Sequence, residues 1–588
     1  MFGKKKNAAE IDAKALAEES DTGGRKPGPL VGRLLLVVCL AWSLFQLWIA
    51  SPLPFALGFG VFNDTQSRAV HLGFAVFLAY MAYPAFSRSP RNRIPVTDWV
   101  FALVGAFCAS YLFFFYRELA TRPGQPTDQD LLVAIVGVVL LLEATRRALG
   151  LPMVIVAVVF LVYTFGGPHM PDLIAHKGAS LSRVASHQWL TTEGVFGVAL
   201  GVSSGFIFLF VLFGSLLDRA GAGNYFIKSA FALLGHMRGG PAKAAVVSSA
   251  ATGIISGSSI ANVVTTGTFT IPLMKRVGYP ATKAGAFEVA ASVNGQIMPP
   301  IMGAAAFLIA EYVGIPYTEV IRHAFLPAIA TYISLFYIVH IEALKADIEG
   351  LPRATIRPLT ARLMRAAFGI AAFLIVANLI YFGVYWIKAA FAGNAPTVVT
   401  IAIAVAYVAL IAWRSRYPDL EPDDPDAEIV LPDAFTVART GFHYLLPIVV
   451  LVWCLMIEHL SPGLSAFWAL VPLIVIILTQ DALTALFRGD YGVGRHLAKG
   501  LADLLHGLRN GAVNMVGVAI ATATAGIIVG TVALTGLGLV MTEVVEILSA
   551  GNLYLMLALT AVICLILGMG LPTTANYIVV ATLMAPVI

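Results

Sequence analysis

The sequence predicts an all-α polytopic membrane protein, and three observations carry that reading. Of its 588 residues 59 % are hydrophobic and only 12 % are charged, where soluble domains carry about 25 % charged residues. The mean hydropathy is +0.84. Apolar runs separated by short polar loops recur from residue 34 onward; such runs must be helical, because lipid offers the backbone no hydrogen-bond partner. Several runs are also interrupted at their middles by Gly, Ser, Asn, Thr or Pro, the pattern of discontinuous helices that build sites inside a membrane.

Taken in order, residues 1–33 are polar and form a cytoplasmic tail; no small-residue cleavage site follows the first apolar run, so it is no secretory signal. Runs at 34–50, 69–86, 97–116 and 131–148 give a four-helix unit spanning 34–148. Lys4, Lys5, Lys6, Arg25, Lys26 and Arg33 precede its first helix. Arg88, Arg91 and Arg93 follow the second, and Arg146 and Arg147 the fourth. The positive-inside bias puts both ends of the unit, and the N-terminus, in the cytoplasm.

A second unit covers 149–345. After a span at 151–166, the stretch 178–192 is too polar to cross and suits a helix lying at the membrane interface. Gly194–Leu216 has Ser203, Ser204 and Gly205 at its centre and is expected to be a helical hairpin. The weakly charged run from Pro241 to Met274 would be about 50 Å long as one helix, far more than a bilayer core of about 30 Å. It must tilt, turn back or break, and Ser256-Gly257-Ser258-Ser259 is the expected break. Beyond it Ser259, Asn262, Thr266 and Thr270 share one helical face. Gly285–Ala310 holds another polar break, Asn294-Gly295-Gln296 followed by Pro299-Pro300.

Residues 346–440 supply two connecting spans, 365–388 and 396–413, and an acidic, Pro-rich loop without metal-ligand spacing. The remainder, 441–588, opens with spans at 443–459 and 464–479 and then repeats the first half. Asn576 stands 314 residues after Asn262, and the same offset superimposes Ala575 on Ala261, Thr582 on Thr268 and Pro586 on Pro272. The run 511–536, with Thr522, Thr524 and Gly526 at its middle, is expected to be the second hairpin. A repeat of the Asn294 break is missing after Ile588, from which a truncated C-terminus is expected.

Four interrupted segments converging on one site can wrap a dehydrated monovalent cation in carbonyl, Ser, Thr and Asn oxygens, while helix N-termini hold a carboxylate. Ser259, Thr266, Asn294, Gly295, Gln296, Pro299 and Pro300 are the candidate substrate contacts. Glu288 is the candidate proton carrier, since Glu143, Glu311, Glu342 and Glu543 lie nearer span ends. Other classes fare worse. No G-x-x-x-x-G-K is present for ATP-driven pumping, and the four cysteines are scattered through apolar runs. The net charge of +5 carries no nucleic-acid signal. Gly201–Gly205 matches G-x-S-x-G, but in a membrane helix and with no base beside it, so a membrane-embedded hydrolase is the weak alternative. A channel would want a charged ring, which is absent.

The segments ISGSSIANVVTTGTFTIPLMKRVGYP, NGQIMPPIMGAAAFLIAEYVG and GMGLPTTANYIVVATLMAP resemble the large membrane subunit of tripartite ATP-independent periplasmic (TRAP) transporters. The leading helices with LEATRRALGLP resemble the small subunit joined to it, as in fused TAXI-type permeases. The resemblance implies a cation-driven importer of organic acids in a bacterial inner membrane, fed by a periplasmic TAXI-type solute-binding protein. It implies an elevator-type transport unit built as an inverted repeat, with the four helices enlarging its scaffold, and no cofactor beyond the coupling ion, Na+ or alternatively H+. The cation positions carry over to Ser256, Gly257, Ser258, Ser259 and Asn262 with the tip Ser203, Ser204 and Gly205. In the second half they fall on Gly570, Thr573, Thr574 and Asn576 with Thr522, Thr524 and Gly526. A cation/carboxylate symporter needing no binding protein is the alternative within transport. Both motifs lack a carboxylate, Asn262 standing at the first and Pro572-Thr573-Thr574 at the second, which leaves coordination to neutral oxygens.

Overall fold

The computed structural model describes residues 24–86, 88–352, 358–420 and 431–584. Lys4, Lys5 and Lys6, the acidic stretch 421–430 and Pro586 lie outside the described residues. Every regular element among the described residues is helical. Among the described residues eight helices are long and apolar enough to cross a membrane, or up to ten with two sharply bent pairs counted as spans. The chain is an all-α, multi-pass membrane protein.

The leading unit is α1 (Pro29–Ala50), α2 (Asp64–Ala82), α3 (Val96–Phe114) and α4 (Asp128–Leu149). Two of these begin in capping boxes, Asn63 with Gln66 and Thr127 with Asp130, which satisfy the first free N–H groups. Arg25 and Arg147 do more than mark topology. Both guanidinium groups close on the Asp98 carboxylate, at 2.5 and 2.8 Å, with all three side chains almost fully buried. Arg147 also lies over the Tyr80 ring, 4.7 Å from its centroid.

Buried hydrogen bonds join this unit to the rest. The His71 Nδ1 accepts from Trp42 Nε1 (3.3 Å) and pairs with Gln46 Nε2 (2.7 Å), while its Nε2 meets Ser203 Oγ at 3.0 Å. Ser43 donates to the Leu508 carbonyl at 2.8 Å. After α5 (Leu151–Gly166), the stretch expected at the interface instead wedges into the protein as Leu181–Leu190. Trp189 is 1 % exposed and fills the space above Gly137, where a Cβ would fall 2.4 Å from the indole. Gln188 donates to the Ile527 carbonyl at 3.1 Å.

Neither hairpin lies where the sequence puts it. Val198–Ala220 is one span, with a π-helical turn at Ser203–Ile207 followed by α6 (Phe208–Ala220). The second expected hairpin is part of a single helix of 43 residues, Val493–Thr535. The small polar residues at their centres serve packing rather than reversal. Ser204 donates back to the Gly201 carbonyl, and the Thr522 hydroxyl lies 3.0 Å from both the Val518 and the Ala519 carbonyl and donates to one of them, the back-bonding that lets a hydroxyl sit in a helix in lipid. Gly526 admits the Gly194–Val195 backbone, which a Cβ would meet at 2.5 Å.

The reversals occur one element later. α7 (Ala222–Leu234) leads into α8 (Gly240–Ser256), which turns at Gly257-Ser258 into α9 (Ser259–Arg276). Asn262 reaches Ser249, thirteen residues back, so α8 and α9 run side by side with Gly257 at the tip. The broken helix follows as α10 (Ala281–Asn294) and α11 (Ala304–Val313), with the chain unwound from Met298 to Gly303. Next come α12 (Tyr317–Lys345), α13 (Leu359–Phe391), α14 (Ala395–Arg414), α15 (Phe442–Met456) and α16 (Pro462–Arg488), then the long helix α17 (Val493–Thr535). α18 (Leu537–Ser549) bends by 119° into α19 (Leu553–Gly568), and α20 (Thr573–Met584) returns after a turn. The element starts of α7 and α9 recur at α18 and α20 with offsets of 315 and 314 residues, so the sequence repeat is also a repeat of architecture.

Candidate functional site

The two hairpin tips, more than 300 residues apart, meet at one cavity of about 670 Å³. Gly257, Ser258, Ser259 and Asn262 come to it from the first tip, and Leu571, Pro572, Thr573 and Thr574 from the second. Gln296 and Met302 enter from the unwound stretch between α10 and α11. The opposite wall belongs to α6 and α17, through Ser215, Asp218, Asn510 and Asn514, and Tyr83 and Leu149 of the four-helix unit reach its edge.

The first tip is held by close backbone approaches. Gly257 adopts φ +58°, which glycine takes without strain, and a Cβ there would fall 2.5 Å from the Met302 carbonyl oxygen. Ser258 caps α9, its Oγ accepting from the Ala261 N–H at 3.3 Å. Gly253 lies against Gly295, where a Cβ would be 2.6 Å from the Gly295 Cα. Gln296 Nε2 donates to Ser259 Oγ at 3.0 Å. Hairpin and broken helix are thereby clasped together.

Asn262, 1 % exposed, ties the two hairpin arms. Its Nδ2 donates to the Ser249 carbonyl (2.9 Å) and Ser249 Oγ (3.0 Å), and its Oδ1 accepts from Thr252 Oγ1. Asn576 does the same at the second tip, its Nδ2 donating to the Cys564 carbonyl at 3.4 Å. There the likeness ends, because Asn576 Oδ1 is buried and has no hydrogen-bond partner among the described residues. The Asn262 amide has both donor hydrogens and one lone pair of its oxygen engaged, whereas the Asn576 oxygen, which is not on the cavity wall, meets no partner among the described residues.

The remaining candidates divide by position. Gly570 packs on α5, where a Cβ would meet Pro152 at 3.0 Å, and holds the second tip in place. Ser259 and Gln296 line the cavity, whereas Thr266 points away and bonds Glu288. Asn294, Gly295, Pro299 and Pro300 shape the unwound stretch without lining the cavity, and the Pro300 carbonyl is taken by Tyr317 at 3.0 Å. Ser203 bonds His71 and Thr524 bonds Thr145 Oγ1 at 2.6 Å. Together with Ser204, Gly205, Thr522 and Gly526 they lie outside the cavity wall. Of Ser256 only the backbone is described, as the last residue of α8. Sequence reasoning missed Asn510, Asn514, Ser215 and Asp218. Their signal was faint: polar residues spaced three and four apart on one face of otherwise apolar helices.

The cavity lining contains no Lys, Arg or His among the described residues. It does contain Asp218, and the groups in it suited to an anion are two helix starts, since the first turns of α9 and α20 both face it. Free N–H groups and the helix dipole there favour an anionic group. Paired hairpins, an unwound helix and a shared polar cavity are the architecture on which secondary membrane transporters build their sites.

Residues 136–387 and 367–588 match the family model described as tripartite ATP-independent periplasmic transporter, DctM component. The chain belongs to this family. It is 28 % identical over 207 residues to the C4-dicarboxylate TRAP transporter large permease protein DctM of Pseudomonas aeruginosa, covering 35 % of this chain and 46 % of that protein. It is 27 % identical over 188 residues to the protein of the same name from Rhodobacter capsulatus, covering 30 % and 43 %. The chain thus spans less than half the length of these curated relatives.

Proposed function

We propose that this chain is the membrane permease of a TRAP transporter that uses a cation gradient to import an organic acid, a dicarboxylate or a related carboxylate. The solute comes from a periplasmic solute-binding protein of the TAXI type, in a bacterial inner membrane with the N-terminus in the cytoplasm. The observation that carries this reading is the meeting of both hairpin tips at one cavity that holds, among the described residues, no basic side chain but two helix N-termini. Na+ suits the oxygens of the second tip, around the unpartnered Asn576 Oδ1 and the Thr573 and Thr574 hydroxyls. The carboxylate suits the first turns of α9 and α20, with Gln296 and Ser259 beside it. Residues 34–148, largely ahead of the family match that begins at residue 136, act as a small subunit fused to the large one and packed on α17. The hairpins and the broken helix form the moving body of an elevator.

The test is uptake of labelled succinate into proteoliposomes holding the full chain and its binding protein. Accumulation is expected only with an inward cation gradient and with the binding protein present. Accumulation without any gradient overturns coupling, and accumulation without the binding protein favours the simpler symporter.

A further inference from the structure

Glu288 is the group that the proposed transport cycle leaves unused. It sits midway along α10, 0 % exposed, with hydroxyl neighbours only: Thr266 and Thr270 of α9, and Ser292 one turn on at 3.3 Å. Among the described residues no cationic group pairs with it. On α8 the nearest basic group, Lys243, is taken by His340 Nδ1 of α12 at 3.1 Å and the Phe336 ring. On α12 Tyr332 donates to the Ala291 carbonyl at 2.9 Å. Lys283 of α10 pairs with Glu342 towards the surface, and Lys275 and Arg276 stand exposed at the end of α9. An ionised carboxylate sealed in such a place costs several kcal/mol, whereas the neutral acid does not carry that penalty.

The hydrogens can be counted. The Thr266 hydroxyl contacts both the Asn262 carbonyl (2.8 Å) and Glu288, and the Thr270 hydroxyl contacts both the Thr266 carbonyl (3.0 Å) and Glu288. Each hydroxyl has one hydrogen and cannot donate twice. Where a threonine donates to its carbonyl, its oxygen faces Glu288 as an acceptor, and a protonated carboxyl supplies the missing hydrogen. Ser292 then links Glu288 to Ser249 at 3.1 Å, and Ser249 to the Asn262 amide that pins the tip. The first repeat thus links a hairpin amide whose oxygen already accepts from Thr252 to a broken-helix carboxyl placed to hold a proton.

We propose that Glu288 is a neutral carboxylic acid in this conformation and that its proton is a coupling ion, bound by the first repeat while the second takes the metal cation. The coupling role rests on the transport reading above; the protonation does not. Purified full-length protein at neutral pH should show an infrared band of a buried carboxylic acid in the difference spectrum of wild type against Glu288→Gln. Absence of that band overturns the proposal whatever transport shows. In proteoliposomes with the binding protein, labelled succinate and equal sodium on both sides, one pH unit supports up to about tenfold accumulation per coupled proton. Glu288→Gln should lose that accumulation and keep succinate exchange, because glutamine mimics the protonated acid. Unchanged proton-driven accumulation in Glu288→Gln overturns the coupling role. A wild type that moves no succinate under any gradient rejects the transport reading instead, and the infrared band still decides the proton.

Discussion

Asn262 and Asn576 occupy the same position in the two repeats, yet their chemistry differs by one acceptor. Asn262 satisfies three partners across its hairpin: the Ser249 carbonyl, the Ser249 hydroxyl and the Thr252 hydroxyl. Asn576 makes one side-chain bond and leaves Oδ1 open among the described residues. Asn262→Leu would remove three buried hydrogen bonds between the hairpin arms, each contributing about 0.5–1.5 kcal/mol. Its unfolding temperature in detergent should therefore fall clearly below wild type. Asn576→Leu should melt close to wild type but lose the thermal stabilisation that added sodium gives the parent protein. Equal melting losses in both variants, with sodium stabilisation intact, would sink this division of labour. The sequence showed both asparagines and their repeat spacing, but not which was saturated. That depends on Thr252 and Ser249 folding back across a tip, a contact that spacing along one helix cannot announce.

At the scale of the element, the hairpins teach how small polar residues mislead. Ser203-Ser204-Gly205 and Thr522-Ala523-Thr524 look like turns, but a helix in lipid absorbs hydroxyls by back-bonding and uses glycine for close approach. A warning was legible in the numbers. The two presumed centres stand about 320 residues apart, whereas the repeat runs at 314. The break at Gly257 was readable because the run was too long for a bilayer and because glycine there takes a positive φ. Gly257→Val should disable transport by driving its side chain into the Met302 carbonyl, while Gly205→Ala, with open space around its Cα, should transport normally. Uptake assays on the two variants, matched for surface expression, check the pair; a normal Gly257→Val would contradict the clasped tip.

For the whole molecule the central statement is that distant segments share one cavity. Cysteines placed at Ser258 and Thr573 in a background free of native cysteines should be joined by a flexible bismaleimide. A protease site cut into the loop between α14 and α15 would then fail to separate the halves on a denaturing gel. Separation of the halves after treatment would mean that the tips do not meet. The four-helix unit is bound to the rest by buried polar contacts at His71, Ser43 and Thr145. His71→Phe, which strands Ser203, Trp42 and Gln46, should lower the unfolding temperature while the cavity wall keeps its composition.

The backbone contact between Gly253 and Gly295 leaves α8 and α10 no room to slide past one another. On the proposed elevator reading the two would travel as a locked pair, with the bending left to the chain ahead of α8. Two left-handed glycines stand there, Gly221 before α7 and Gly239 after it, which would make α7 a connecting rod pivoted at both ends.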